Sequence, residues 1–228
     1  MCCFLSSLHW PISTCHLDEI ALLFIIDLFN SFYTGEGRLT NAVCWTLLLV
    51  GKRNVNMESL YDYGARAGFW RLHRLFTSKK IPVTVFAVGM ALERNIQAAG
   101  AMKEAEWEVA SHGYRWIDYS EVDEQTELEH ITRTIEIHQS LLGKRPFGFY
   151  QGKPNENTRR LIVEEGGFLY DSDSYADDLP YWCLEYASGR PHLVIPYTLT
   201  ENDMRFVSQG GSFADGTEFA RHLKETLR

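Results

Sequence analysis

From about residue 57 onward, the apolar positions switch repeatedly between the helical and the strand period. Between Ala65 and Lys79, Phe69, Leu72, Leu75 and Phe76 share one helical face, with Arg71, Arg74 and Lys79 off it, which predicts an amphipathic helix. The β-branched run Ile81 to Val88 predicts a strand buried on both faces, as in a parallel sheet. Helix is expected again over Met90 to Ala105, then strand over Trp107 to Ser111. A long acidic helix is expected from about Glu121 to Leu142, carrying Leu128, Ile131, Ile135 and Leu142. Strands follow at Phe147 to Tyr150, Phe168 to Tyr170 and Leu193 to Tyr197, with helices at Asn155 to Glu165 and Gly216 to Leu227. Strand–helix units repeating every ~25 residues mean parallel strands with right-handed crossovers. An irregular barrel and an open doubly wound sheet satisfy this equally. In both, chemistry belongs at the C-terminal strand ends, which selects residues 111–113, 150–153, 171–178 and 197–205.

Composition narrows the function classes. With 45% apolar residues the chain of 228 can bury a substantial core. No glycine-rich phosphate loop follows any strand, which argues against dinucleotide or nucleoside triphosphate binding. The net charge of −8 and the lack of a Lys/Arg cluster argue against a nucleic-acid partner. Four of the five cysteines (Cys2, Cys3, Cys15, Cys44 and Cys183) fall within the first 44 residues, with no C-x-x-C pair. Reduced thiols in a cytoplasmic protein are expected from so lopsided a set. No Lys or Arg precedes Arg38, so no targeting signal is expected. The apolar run from Ile20 to Phe29 is interrupted by Asp27 and too short to span a membrane.

Three clusters could carry chemistry. His112, flanked by Ser111 and Gly113 with Asp118 nearby, stands where a strand ends; an imidazole there can act as general acid or base, or merely pack. The segment from Tyr170 to Trp182 holds Asp171, Asp173, Asp177 and Asp178. Crowded carboxylates raise one another's pKa, although Asp also caps turns. The spacing lacks the glycine and terminal glutamate of a calcium loop. Asn202 and Arg205 could hold a carboxylate or imide-like ligand, or form a surface ion pair.

The stretches Asn56 to Gly64, Ala67 to Phe76, Ala110 to Tyr119 and Glu164 to Trp182 resemble the allantoinase branch of the polysaccharide deacetylase (NodB-homology) superfamily. The resemblance implies an α/β fold, a distorted (β/α) barrel hydrolysing a carbon–nitrogen bond. The substrate it implies is a small molecule, allantoin or a similar hydantoin, opened to allantoate. It runs from about Gly51 to the end, which divides the chain into a divergent segment, 1–50, and a partial family domain, 51–228. The family's Glu-rich first loop is not found in residues 1–50, and its closing strands are not found after the last helix. An incomplete barrel is therefore expected.

Metal-dependent members hold a cation with a carboxylate and a His-x-x-x-His pair. Here His112 matches the first histidine and Trp116 stands in place of the second, and an indole N–H only donates. The resemblance thus implies no metal and no other cofactor. It also implies proton transfer by His112 with a carboxylate from Asp171 or Asp173, and substrate contacts from Trp116, Tyr150, Lys153, Asn202 and Arg205. Lys153 stands where the family usually has arginine, which costs the planar bidentate donor. The family tends to form homo-oligomers, with no stoichiometry fixed by this chain. The alternatives are a metal-dependent polysaccharide deacetylase and an inactive homologue that only binds.

Overall fold

Residues 83–87 are buried at every position, because this strand is covered on one side by helices and on the other by the sheet's own interior. The computed structural model describes residues 62–186, 191–198, 200–202 and 213–226, together with the strand backbone of 2–8 and 20–26. The strands are β1 (Cys2–Leu8), β2 (Ile20–Ile26), β3 (Val83–Ala87), β4 (Glu108–Ser111), β5 (Gly148–Phe149), β6 (Tyr170–Asp171), β7 (Tyr181–Cys183) and β8 (His192–Val194). They form one sheet in the order β1-β2-β3-β4-β5-β6-β8-β7. From β2 to β8 the neighbours run parallel, while β1 and β7 pair antiparallel at the two edges. Among the described residues no pairing joins β1 to β7. The apolar run after Ile20 is therefore a strand beside β3, and β7, only three residues long, is too short to leave a periodic signal.

The helices are α1 (Phe69–Lys79, entered through a π turn at Gly64–Gly68), α2 (Gly89–Arg94), α3 (Ile96–Glu104), α4 (Glu124–Leu142), α5 (Thr158–Glu165) and α6 (Gly216–Thr226). None of them is long and apolar enough to cross a membrane. The single helix expected over 90–105 is two, because Asn95 leaves helical geometry (φ −125°, ψ 67°). Its Oδ1 accepts the Ala98 N–H and so starts α3. The long acidic helix begins at Glu124 rather than Glu121: Asp123 caps it through the Thr126 N–H, and residues 119–121 form a separate 3-10 turn capped by Asp118.

Two apolar positions assigned to the core by periodicity lie outside it: Leu75 is 48% exposed and Leu128 38%. On α4 the expected Ile131, Ile135 and Leu142 are buried, and the stripe continues through Glu127, Thr134 and His138. Each of its polar members has a hydrogen-bond partner on at least one atom. Glu127 Oε1 accepts the Thr158 hydroxyl, the Thr134 hydroxyl donates to the His130 carbonyl, and His138 Nδ1 lies 2.9 Å from the Thr134 carbonyl. A reading of hydrophobicity alone cannot see such a stripe.

Strand pleating sorts the sheet into two faces. Val83, Val85, Ala87 and Val109 pack outward with α1 to α4, and Phe149 packs outward with Ile131, Ile135, Leu161 and Ile162. Phe86, Ala110 and Tyr150 face inward, with Tyr170 and Tyr197. Beneath them lies an inward polar chain: the Thr84 hydroxyl donates to Glu108 Oε2 at 2.5 Å and the Tyr170 hydroxyl to Glu108 Oε1 at 2.9 Å. Tyr170 reaches Glu108 by crossing β5 over Gly148, where a Cβ would stand 2.1 Å from its Cζ. We expect Gly148→Ala to cost about 1–3 kcal/mol by overpacking, measurable as a lower urea midpoint; an unchanged midpoint would contradict this crossing.

Candidate active site

The strand ends expected to carry chemistry do converge. β4 runs into His112, whose N–H donates to the Ala87 carbonyl at the end of β3 (2.9 Å). β5 runs into Tyr150 and Gln151, with the Tyr150 N–H donating to the Ser111 carbonyl (2.9 Å). β6 runs into Ser172 and Asp173. These bonds set the loops side by side and leave His112 only 2% exposed, its ring 5.0 Å from that of Tyr150. Tyr150 is held in turn by parallel stacking on Tyr197 (4.9 Å, 2°) and by Phe86 (5.4 Å).

Gly152 is the junction of these groups. It has φ +77°, a left-handed conformation in which a side chain is strained, and a Cβ there would stand 3.4 Å from His112 Cε1 and 3.5 Å from Tyr150 Cζ. The His112 and Tyr150 ring edges thus approach one face of the Gly152 backbone, with a gap between them about one methyl group wide at the Cβ position. Its N–H donates to Asp173 Oδ1 at 2.7 Å, and the Gln151 N–H donates to Asp173 Oδ2 at 2.6 Å. Sequence reading chose Tyr150 and Lys153 from this loop and missed the glycine between them, because its use depends on what comes near it.

Asp171 and Asp173 have different tasks. Asp171 pairs in register with Phe149 and Val194 on the outward face, toward α5. Fully buried, it takes a two-pronged contact from Arg159, Nε to Oδ2 at 2.9 Å and a terminal nitrogen to Oδ1 at 3.0 Å. His192 Nε2 lies 3.1 Å from Oδ2, and the Asp173 N–H donates to Oδ1 at 3.0 Å. Burial alone would raise the Asp171 pKa, but His192 and Arg159 together hold it below the usual carboxylate value. The same arginine donates to the Asp173 carbonyl at 2.9 Å. Asp171 is thus an ionised anchor for the turn that presents Asp173.

Asp173 is shifted the other way. Burial pushes its carboxyl up to about 7 against the pull of the Gln151 and Gly152 N–H groups, and the neighbouring Asp171 charge adds to the rise. A carboxyl pushed toward neutral and bonded to the glycine that the His112 ring approaches is suited to proton transfer at physiological pH.

The remaining candidates are distributed more widely. Asp118, considered as an orienting carboxylate for His112, is committed to the Ser120 hydroxyl and N–H (2.6 and 3.1 Å). Asp177 and Asp178 are exposed, and Asp177 caps its own turn by accepting the Asp178 and Leu179 N–H groups. Asn202 is buried and its Nδ2 donates to the Tyr197 hydroxyl at 2.8 Å, which joins it to the Tyr150 stack. Trp116 is half-buried and packs against the outward cluster of β3 and α1 to α4. Lys153 is half-buried; its carbonyl accepts the Tyr119 N–H (3.2 Å), and its charge adds to the Ser120 hydrogen bonds that lower the Asp118 pKa. Arg205 lies outside the described residues.

Arg159 and His192 are the members sequence reading missed. Arg159 sits beside Arg160, an arginine pairing with Glu124 and Glu164, and nothing in the local pattern distinguishes the two. Removing the arginine leaves a buried carboxylate without its main partner, so Arg159→Ala should cost about 3 kcal/mol at pH 7. Because the folded Asp171 pKa is depressed, its contribution is present above the ordinary carboxylate range and lost as pH falls below that range, through the lower folded value. The wild-type and variant stabilities should therefore converge below about pH 4. Urea denaturation at pH 7 and pH 3 tests this; a gap that stays constant would contradict the anchor.

Comparison with known proteins places the chain in a family. Residues 54–166 match the polysaccharide deacetylase family model. A Schizosaccharomyces pombe protein named as a polysaccharide deacetylase is 37% identical over 223 residues, covering 92% of this chain and 68% of that protein. Two crystal structures share its fold at a TM-score of 0.75. One is named Puue allantoinase (53% identical) and the other a polysaccharide deacetylase of Pseudomonas aeruginosa PAO1 (54% identical). In each case the match covers 78% of this chain and 59% of the other, so the chain spans well under two thirds of both. The α/β fold with a parallel sheet core thus bears out the architecture expected from the sequence. The chain belongs to the polysaccharide deacetylase family.

Proposed function

We propose that this chain hydrolyses the carbon–nitrogen bond of a non-peptide amide in the gap over Gly152, with His112 moving the proton. The observation that carries the reading is the junction itself: His112, Tyr150 and a carboxyl with a pKa near 7 meet around one glycine. His112 takes a proton from water as the oxygen attacks the carbonyl carbon. It then returns that proton to the departing nitrogen as the C–N bond breaks, giving a carboxylic acid and an amine. Asp173 assists as an anion beside the transient imidazolium, and the Arg159–Asp171 anchor keeps it there.

Among the described residues, the side chains around His112 do not make a divalent-cation site. Trp116, four residues after His112, offers no lone pair. Both Asp173 oxygens already accept backbone N–H groups, and among the described residues no three His, Cys, Asp or Glu side chains come together as a ligand set. No step here runs through a metal.

Two substrate readings divide the support. The names of the S. pombe and P. aeruginosa relatives favour N-acetyl groups on a polysaccharide. The likeness to Puue allantoinase and the tryptophan at the second-histidine position favour a small cyclic amide, allantoin or a related hydantoin. Purified protein offered racemic allantoin and, separately, an N-acetylated chito-oligosaccharide, each with and without a strong chelator, distinguishes them. Allantoate formed despite chelation supports the cyclic-amide reading, whereas chelator-sensitive release of acetate supports the deacetylase. On whichever substrate turns over, His112→Ala should reduce kcat by about 10²–10⁴-fold; unchanged activity would remove His112 from the mechanism.

A further inference from the structure

The reading above leaves the oxygen of the attacked carbonyl without a donor, and a pair of phenols at the gap can supply one. The hydroxyls of Tyr150 and Tyr175 lie 3.1 Å apart. Two phenols carry two protons and their mutual bond uses one, so one O–H remains to donate elsewhere. The pair is asymmetric. Tyr150 is 7% exposed and fixed between Phe86, His112 and the parallel Tyr197 ring, with its Cζ at the Gly152 gap. Tyr175 is 55% exposed, stands edge-on to Tyr197 (5.8 Å, 79°), and can meet water on its outer side.

We propose that Tyr150 is the oxyanion donor of this site and that Tyr175 is its positioning residue. The Tyr175 hydroxyl donates to Tyr150, and Tyr150 directs its own proton into the gap over Gly152. This rests on the amide-hydrolase reading. As negative charge collects on the carbonyl oxygen, the two hydrogen bonds polarise each other, so the chain strengthens as the tetrahedral intermediate forms. Burial raises both phenol pKa values, with the nearby Asp173 charge adding to each, so both hydroxyls keep their protons at neutral pH.

The test is a double-mutant cycle with the full chain on whichever of the two amides it turns over. Tyr150→Phe keeps the ring stack and should lower kcat about 100-fold, the scale for loss of one oxyanion donor. Tyr175→Phe should lower kcat about tenfold with KM unchanged, since it acts only through the strengthened bond. The double variant should match Tyr150→Phe alone, because Tyr175 has nothing to act on once the Tyr150 hydroxyl is gone. Losses that multiply in the double variant, or a Tyr175→Phe effect confined to KM, would overturn the relay and leave the hydrolase reading standing. If a folded wild type turns over neither amide, the hydrolase reading fails and the relay with it. If Tyr150→Phe does not fold by circular dichroism, the kcat-against-KM split of the half-exposed Tyr175→Phe decides.

Discussion

The ion pair of buried Asp171 with half-buried Arg159 is the constraint on which the site depends. A carboxylate with no exposed surface is costly unless its oxygens are filled, and here they are filled by a two-pronged guanidinium, an imidazole and a backbone N–H. Each partner ties a different element to the end of β6: Arg159 brings α5, His192 brings β8, and the Asp173 N–H fixes the turn that follows. From that turn Asp173 reaches across to the Gln151 and Gly152 N–H groups, which locks the loop after β5. One ionic contact on the outer face of the sheet thus sets the geometry of the candidate groups at the strand ends.

The same arrangement separates two carboxyls that are only two residues apart. Asp171 meets positive charge and stays ionised, whereas Asp173, half-buried and desolvated near another carboxylate, is pushed up to about 7. Environment, not residue type, divides the roles. The inward aromatic stack has a comparable division: Tyr170 closes the interior against Glu108, and Tyr150, one strand over, borders the gap with His112.

The fold was largely legible because parallel strands buried on both faces must be written as short apolar runs, and those at 81–88 and 107–111 stand out. The active-site frame was half legible. His112, Tyr150, Asp171, Asp173 and Asn202 follow from the rule that chemistry sits at strand ends. Arg159 and His192 do not, because their roles arise from a cross-element contact that no local pattern encodes. Gly152 is defined by space left empty, and the α4 stripe through Glu127, Thr134 and His138 by partners on other elements or on the next turn. Leu75 and Leu128 show the converse error, since an apolar residue at core spacing is not thereby buried.

The central claim is that the anchored turn presents Asp173 as a carboxyl titrating near neutral pH. The direct measurement is infrared difference spectroscopy of the carboxyl band, titrated from pH 4 to 9 in the wild type and in Asp173→Asn. The account predicts a protonated-carboxyl band that disappears with a midpoint near 7 and is missing from Asp173→Asn. Loss of all carboxyl bands below about pH 5, as for ordinary carboxylates, would contradict it.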